Sequence, residues 1–469
     1  MTRGKVFLLM LTVAALLCAA GALTPPAGFT LCSDVTVRFP TPQDLVDELF
    51  PPDEPEGPSP EEILAMRRSE LLSAQRDSFM VYLRESPARI QFPHDSFALF
   101  DSFFAGLDSA RLHPVRVLYY GDSQIEEDRI TSTLRTGLQQ RFGGSGPGLL
   151  PLGRNYFTLR SGQTSTVQLA RFAVYGEGGR RSGGAYGVMG QLFRLDTSMV
   201  AWLSSSKGKG QPASPFSRLS LFAGNLSSLK IRTKGKSGIL SGIYGNDMGR
   251  ICLNLPDSTV SLSLYLGGNA DIYGVCLDDS VGVSVDNVPM RGSSGTVFTR
   301  MSGRQISEYA AWGNVRLIVL QYGINIIPYA SRKVISDYKA AMAAQISRLR
   351  TLVPGAAILL VGPSDMSNMI AGRMQTYPLL PALVDSLRDA ALESGAAFWD
   401  LYSAMGGENS MASWTAATPP LAGSDYTHFT RLGASEVGDM LLRNLMVCYD
   451  YYLWRQNDTA SLSLQPASL

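Results

Sequence analysis

The sequence predicts an α/β protein whose parallel sheet is interrupted by an all-β sandwich or jelly roll. Apolar runs at 115–120, 281–288, 316–323, 356–363 and 396–403 alternate with helix-favouring stretches. Strands separated by helices of normal length pair in parallel, with right-handed crossovers. Between the first two runs lies a long segment rich in Gly, Ser and Thr, with short alternating strands such as "RLSLFAG", "SLKIRTKG" and "TVSLSLYLGG". Turn residues divide them at the spacing of a sandwich. At 469 residues the chain is also too long for one simple core.

The elements follow in order. Arg3 and Lys5, the apolar run at 6–17 and Ala20-Gly21-Ala22 have the layout of a signal peptide over 1–22. The apolar run is short for a transmembrane helix and no later run replaces it. The expectation is an exported protein, periplasmic or extracellular. Cys18 offers an alternative as the cysteine of an outer-membrane lipoprotein, although Leu17 is a poor residue before it. Residues 23–60 end in "PPDEPEGPSP" and have the composition of a linker. Residues 61–114 are expected to be a helical extension, with an amphipathic helix from 60 to about 84 that starts near Ser59 or Pro60. The α/β domain is expected in two pieces, 115–142 and 283–450, around the β insert at 143–282. Its helices are placed near 126–141, 296–311, 331–352, 378–394 and 431–446. The segment 455–469 is read as a flexible tail.

A net charge of +1 provides no broad field for nucleic acid or an anionic membrane. The glycine-rich "GGSGPG" and "GEGGRRSGG" lack phosphate-loop and dinucleotide spacing. Cys32, Cys252, Cys276 and Cys448 match no zinc pattern, so neither metal nor cofactor is expected. A Cys252–Cys276 bridge and two buried thiols are equally compatible with the spacing. Tyr156, Tyr186 and Trp202 are read as core residues of the β insert rather than as a sugar platform.

In an open parallel sheet, functional residues gather where strands end. The first strand stops at Gly121-Asp122-Ser123, which is either a helix cap or an exposed nucleophile. Asp122 is expected to be a turn residue, and Glu126, Glu127 and Asp128 to suit the first turn of a helix. Later strand ends offer "RGSSG" (291–295), "QYGIN" with Gly323 and Asn325, and "DYTHF" with Asp425 and His428. A serine needs a base to take its proton. Of the three histidines, His113 precedes the first strand and His94 lies before the α/β unit. His428 alone is at the correct edge. Asp425 can fix its tautomer, leaving the other ring nitrogen for Ser123. The Ser123 N–H, a glycine N–H and the Asn325 amide are candidate oxyanion donors.

These four blocks resemble those of the SGNH hydrolases, or GDSL-type esterases, in the family's order. The resemblance implies a flavodoxin-like sheet, Ser123 as nucleophile with Asp425 and His428, and an oxyanion hole of Ser123, Asn325 and a glycine. Aligning "RGSSG" with the family's glycine block selects Gly295, with Gly292 as the alternative. Gly292, Gly323 and Trp414 are expected at the substrate, Trp414 either stacking on a sugar or anchoring its loop. The split layout resembles the branch containing bacterial peptidoglycan O-acetylesterases, in which a carbohydrate-binding-type β module is inserted. The activity implied is removal of O-acetyl groups from cell-wall or extracellular polysaccharide, with the polymer as partner. An O-acetyltransferase, an esterase of dietary or host glycans, and a non-catalytic carbohydrate-binding protein are the alternatives. Gln124 and Ile326 depart from the residues many members carry.

Overall fold

Successive residues of the apolar runs point to opposite faces of one sheet, and both faces are covered. In the computed structural model the parallel strands are β1 (Pro114–Gly121), β2 (Gly282–Pro289), β3 (Val315–Gln321), β4 (Ala357–Val361) and β5 (Ala397–Trp399). They lie in the order β2-β1-β3-β4-β5, with every neighbouring pair parallel. That order is the flavodoxin-like one, with its topological switch point between β1 and β3. Val117, Tyr119, Leu317 and Val319 pack on one face with α1 (Thr131–Phe142) and α5 (Arg431–Ser463). Leu118, Tyr120, Ile318 and Leu320 pack on the other with α2 (Gly303–Gly313), α3 (Arg332–Leu352) and α4 (Leu380–Glu393). Double-sided burial explains why these strands read as continuous apolar runs.

The structure describes residues 2–25, 27–32, 35–49, 59–205 and 213–463. They divide into two units, Met1–Ala74 and Gln75–Leu469. In the first, the helix Arg3–Leu23 has 21 residues and contains an 18-residue stretch with a mean hydropathy of 2.6. Ala20-Gly21-Ala22 continues the helix, so the apolar segment is longer than the run at 6–17 and is long enough to cross a membrane. Its length suits a membrane span, and a signal sequence satisfies the same criterion. The segment read as a linker holds an antiparallel pair, Phe29–Cys32 with Val35–Val37, and a helix, Pro42–Leu49. Thr41 and Asp44 cap that helix reciprocally, at 2.9 and 3.1 Å. Most of "PPDEPEGPSP", residues 51–58, lies outside the described residues.

Three elements of the longer unit differ from expectation. The helix expected from 126 begins only at Thr131, because Glu127 and Asp128 have φ of +59° and +64° and break it. Asp128 does more than suit a helix dipole: it is buried, paired with Arg135 at 2.5 Å and bonded by Thr131. The segment 61–114 is not merely a helical extension. After the helix Pro60–Glu85, the short strand Ile90–Gln91 pairs antiparallel with β5 and forms a sheet edge. Phe100, Phe103, Phe104 and Leu107 then enter the core beside α5. Finally, α5 continues past Trp454 to Ser463, where a flexible tail was expected; the rest of that segment, 464–469, lies outside the described residues. Trp454 stacks on Tyr451 at 5.7 Å, and Arg455 pairs with Asp101.

Between α1 and β2 the chain forms two antiparallel sheets. One contains Gly249–Asn254, Arg218–Gly224, Ala270–Asp278, Gln191–Leu195 and Ala170–Ala173, with Gly148–Leu150 attached. The other contains Lys236–Ile243, Leu226–Thr233, Ser261–Gly268, Ser198–Ser204, Gly162–Ser165 and Tyr156–Phe157. Leu221 and Val275 of the first share a buried cluster with Leu229 and Leu264 of the second. The first sheet is buried on its other face too. Every residue of Ala270–Asp278 is buried, and Phe222, Tyr273 and Cys276 join the cluster of α2. Below them Arg116 of β1 pairs with Asp278 and, at 2.6 Å, with Asp286 of β2, which also accepts from Tyr309 Oη at 2.6 Å. Cys252 and Cys276 are unbridged, on the strands flanking Ser220. Tyr186 is core, whereas Trp202 is 47% exposed on the outer sheet. Trp202 was read as core because strand alternation alone does not say which face meets solvent.

Candidate functional site

The apolar side chains of β1 end at Tyr120, and the chain turns within three residues. Gly121 leaves little room for a side chain, because a Cβ would press on the Ile125 side chain at 3.0 Å. The Asp122 carboxylate accepts the Gln124 N–H at 3.0 Å, closing an Asx turn that presents Ser123. Ser123 Oγ lies 2.9 Å from His428 Nε2. His428 Nδ1 lies 2.7 Å from Asp425 Oδ2, and Asp425 Oδ1 accepts the N–H groups of Thr427 and His428 at 3.1 and 3.0 Å. Partial burial pushes the Asp425 carboxyl up, but these hydrogen bonds outweigh it and hold it below the usual range. An ionised Asp425 fixes the tautomer with the proton on Nδ1, which leaves Nε2 to accept from the serine hydroxyl. Ser123 is only 8% exposed, so the hydroxyl is sheltered rather than freely exposed. His113 stands at the opposite, amino end of β1, one residue before Pro114.

Asn325 follows β3, across the switch point from Ser123. Its Nδ2 donates to the Ser293 carbonyl at 3.1 Å and, more loosely, to Asp122 Oδ2 at 3.3 Å. Asp122 is therefore more than a turn residue. Burial pushes its carboxyl up to about 7, partly opposed by the backbone N–H it accepts. Ser123 opens a six-residue 3₁₀ segment that kinks at Glu126, not a full α-helix, so little helix dipole reaches its N–H.

The glycine block requires a correction. Gly295 is buried at φ +81°, its N–H donates to Ser293 Oγ at 3.0 Å, and a Cβ there would meet the Tyr322 ring at 2.5 Å. It shapes the turn and has no free N–H for an oxyanion. Gly292 is exposed at φ +72°, and no hydrogen bond among the described residues uses its N–H. Gly323 is buried at φ +126° against Leu387 and Pro363, where it directs the chain towards Asn325 and cannot touch substrate. Trp414 is a loop anchor: its ring packs on Phe429 at 5.5 Å and its Nε1 donates to the Met405 carbonyl at 3.2 Å.

Gln124, noted in the sequence only as a departure from the family's residues, and Arg129, which the sequence did not single out, tie the serine and histidine loops together. Gln124 Nε2 donates to the Thr427 carbonyl at 2.7 Å. Arg129 donates to the carbonyls of Ser123, Glu126 and Phe429 at 2.8, 3.0 and 3.3 Å. Apart from a loose bond from Gln124 Nε2 to Ser364 Oγ at 3.4 Å, their partners are main-chain oxygens, three of them on Ser123 or beside His428.

No family model matches the sequence, and no curated protein matches it. Among solved structures, a peptidoglycan O-acetylesterase is similar over 76% of this chain and 97% of its own, with 21% identity and a TM-score of 0.63. An acetylxylan esterase from Geobacillus stearothermophilus has 16% identity over 35% of this chain and 72% of its own, with a TM-score of 0.26. A putative GDSL-like lipase from Parabacteroides merdae has 15% identity over 35% of this chain and 74% of its own, with a TM-score of 0.26. The first shares the fold of this chain; the other two likenesses are too partial to establish anything about it.

Proposed function

We propose that the protein is a serine esterase of the SGNH type that removes O-acetyl groups from a bacterial cell-wall or extracellular polysaccharide. The observation that carries this reading is the chain of hydrogen bonds from Ser123 through His428 to Asp425, at 2.9 and 2.7 Å. The shared fold with a peptidoglycan O-acetylesterase supports the choice of ester. The apolar helix Arg3–Leu23 supports export. In this reading the two antiparallel sheets are an inserted β sandwich that holds the polymer over the site.

The steps follow from the geometry. His428 Nε2 takes the proton of Ser123 as the hydroxyl oxygen attacks the ester carbonyl carbon. The tetrahedral oxyanion is met by the N–H groups of Ser123 and Gly292 and by the Asn325 amide, which exchanges its long bond to Asp122 for the stronger charge. The protonated ring returns the proton to the sugar oxygen as that bond breaks. Water, deprotonated by His428, then releases acetate from the acyl-serine. Purified protein without residues 1–22 should release acetate from an acetyl ester, and the Ser123→Ala protein should not. Equal rates in the two proteins would end this reading.

A further inference from the structure

We infer that a cleft beside Ser123 seats a carboxylate-bearing stretch of glycan, so that the acylated polymer is an acidic one; this rests on the esterase reading for its substrate but not for its binding test. The cleft has a volume of about 620 Å³, within the usual range of roughly 300–1,000 Å³ for ligand sites. Glu126 and Gly292 border it on the side of the site, and Arg154, Tyr156, Arg171 and Tyr175 come from the antiparallel region. Glu126 is three residues beyond Ser123. Gly292 precedes Ser293, whose carbonyl holds Asn325. The cleft therefore begins where the candidate site ends.

Its charges are unevenly matched. Glu126 is paired with Arg291, which also lines the cleft, at 2.9 Å. Arg154 and Arg171 have no carboxylate partner among the described residues. Arg154 Nε donates to the Leu169 carbonyl at 3.1 Å, leaving both terminal nitrogens unused. Arg171 is half-buried, with Nε on Gln191 at 2.7 Å, one terminal nitrogen on the Glu177 carbonyl and the guanidinium 5.1 Å from the Tyr175 ring centroid. Those contacts hold its direction before any ligand arrives. Glu177 is the one lining carboxylate left without a cation, so the cleft keeps a net positive charge of one from three arginines and two glutamates.

A fixed guanidinium fork is the group that matches a carboxylate in two-point geometry, and a half-buried tyrosine ring such as Tyr156 offers an apolar face to a sugar. A neutral glycan in the same place would strip water from Arg154 and Arg171 and supply no charge in return, which disfavours it. The cleft thus selects for acidic residues flanking the acylated one.

Calorimetry with ligands lacking O-acetyl groups tests this without turnover. The probes are an oligouronate and a muropeptide disaccharide, each beside a control with its carboxyls converted to neutral groups. One acidic probe should bind wild-type protein about tenfold or more tightly than its neutral control at low salt, and whichever does so identifies the source of the carboxylate. Arg171→Gln should bring the ratio close to one, and the exposed Arg154→Gln should lower it with circular dichroism and melting temperature unchanged. Equal affinity for acidic and neutral forms, no binding of any probe, or an undiminished preference in both variants would overturn the inference. Hydrolysis of a small acetyl ester by wild-type protein tests the esterase reading separately, so the two can fail independently.

Discussion

The two ends of β1 bury charge in opposite ways. Near its amino end Arg116 meets Asp278 and Asp286, so the carboxylates there are matched by a cation that fastens the antiparallel region to the parallel sheet. At its carboxyl end Asp122 is equally buried, but its hydrogen-bond donors are neutral: the Gln124 N–H and the Asn325 amide. Its carboxyl is accordingly pushed up to about 7. One end is locked by ion pairs, and the other keeps groups whose hydrogen bonds are loose enough to be exchanged. A neutralised junction beside an un-neutralised carboxyl is the arrangement expected of a fixed frame around the proposed site.

The comparison predicts different losses at the two ends. Ser123→Ala should lower turnover of an acetyl ester by up to about a million-fold, with a melting temperature near that of wild type. His428→Ala should approach that loss, while His113→Ala and His94→Ala should retain full rate. An inactive His113→Ala protein would place the base at the wrong end of β1.

At the junction, Asp278→Ala leaves Arg116 and Arg218 short of a partner. Removing one member of a buried pair costs about 3–5 kcal/mol, which a urea titration would read. A change below about 1 kcal/mol would mean that the junction is held by apolar packing alone.

Asn325→Ala should lower turnover by roughly a hundred- to a thousand-fold, as loss of one oxyanion donor does, with the Michaelis constant little altered. A change confined to the Michaelis constant would make Asn325 a substrate-positioning residue only.

The last effect is in pH. The Asp122 carboxyl titrates near 7 in the folded protein against an ordinary 3.8. Between those values the folded state holds a proton that the unfolded state has released. The stabilisation this gives is complete below about pH 4 and is lost as pH rises towards 7. Asp122→Asn has no such step, so its melting temperature relative to wild type should rise across that window. Parallel curves would show that Asp122 is ionised throughout.

The geometry of the candidate site was largely legible, because its residue types stand at strand ends and His428 is the one histidine that the sequence places at the carboxyl edge, where it meets Ser123. The choice between Gly292 and Gly295 was not legible. Both are glycines with positive φ, and which N–H is free depends on the Ser293 hydroxyl, whose direction no spacing encodes. The tying roles of Gln124 and Arg129 were not legible for a related reason, since their shortest bonds go to main-chain carbonyls that every residue carries. The two antiparallel sheets between α1 and β2 were visible in their alternating strands, but the burial of one of them on a second side was not read. The signal is present in "ADIYGVCLD", where apolar residues fall on both faces rather than alternating. The edge strand Ile90–Gln91 is two residues long, too short for any periodicity.

The central claim is that His428 makes the Ser123 hydroxyl a nucleophile, and intact-protein mass spectrometry after treatment with an activated phosphonate ester tests it most directly. One adduct should form, peptide mapping should place it on Ser123, and its formation should slow by orders of magnitude in His428→Ala. An adduct on another residue, no adduct at all, or an unchanged rate in His428→Ala would contradict the account.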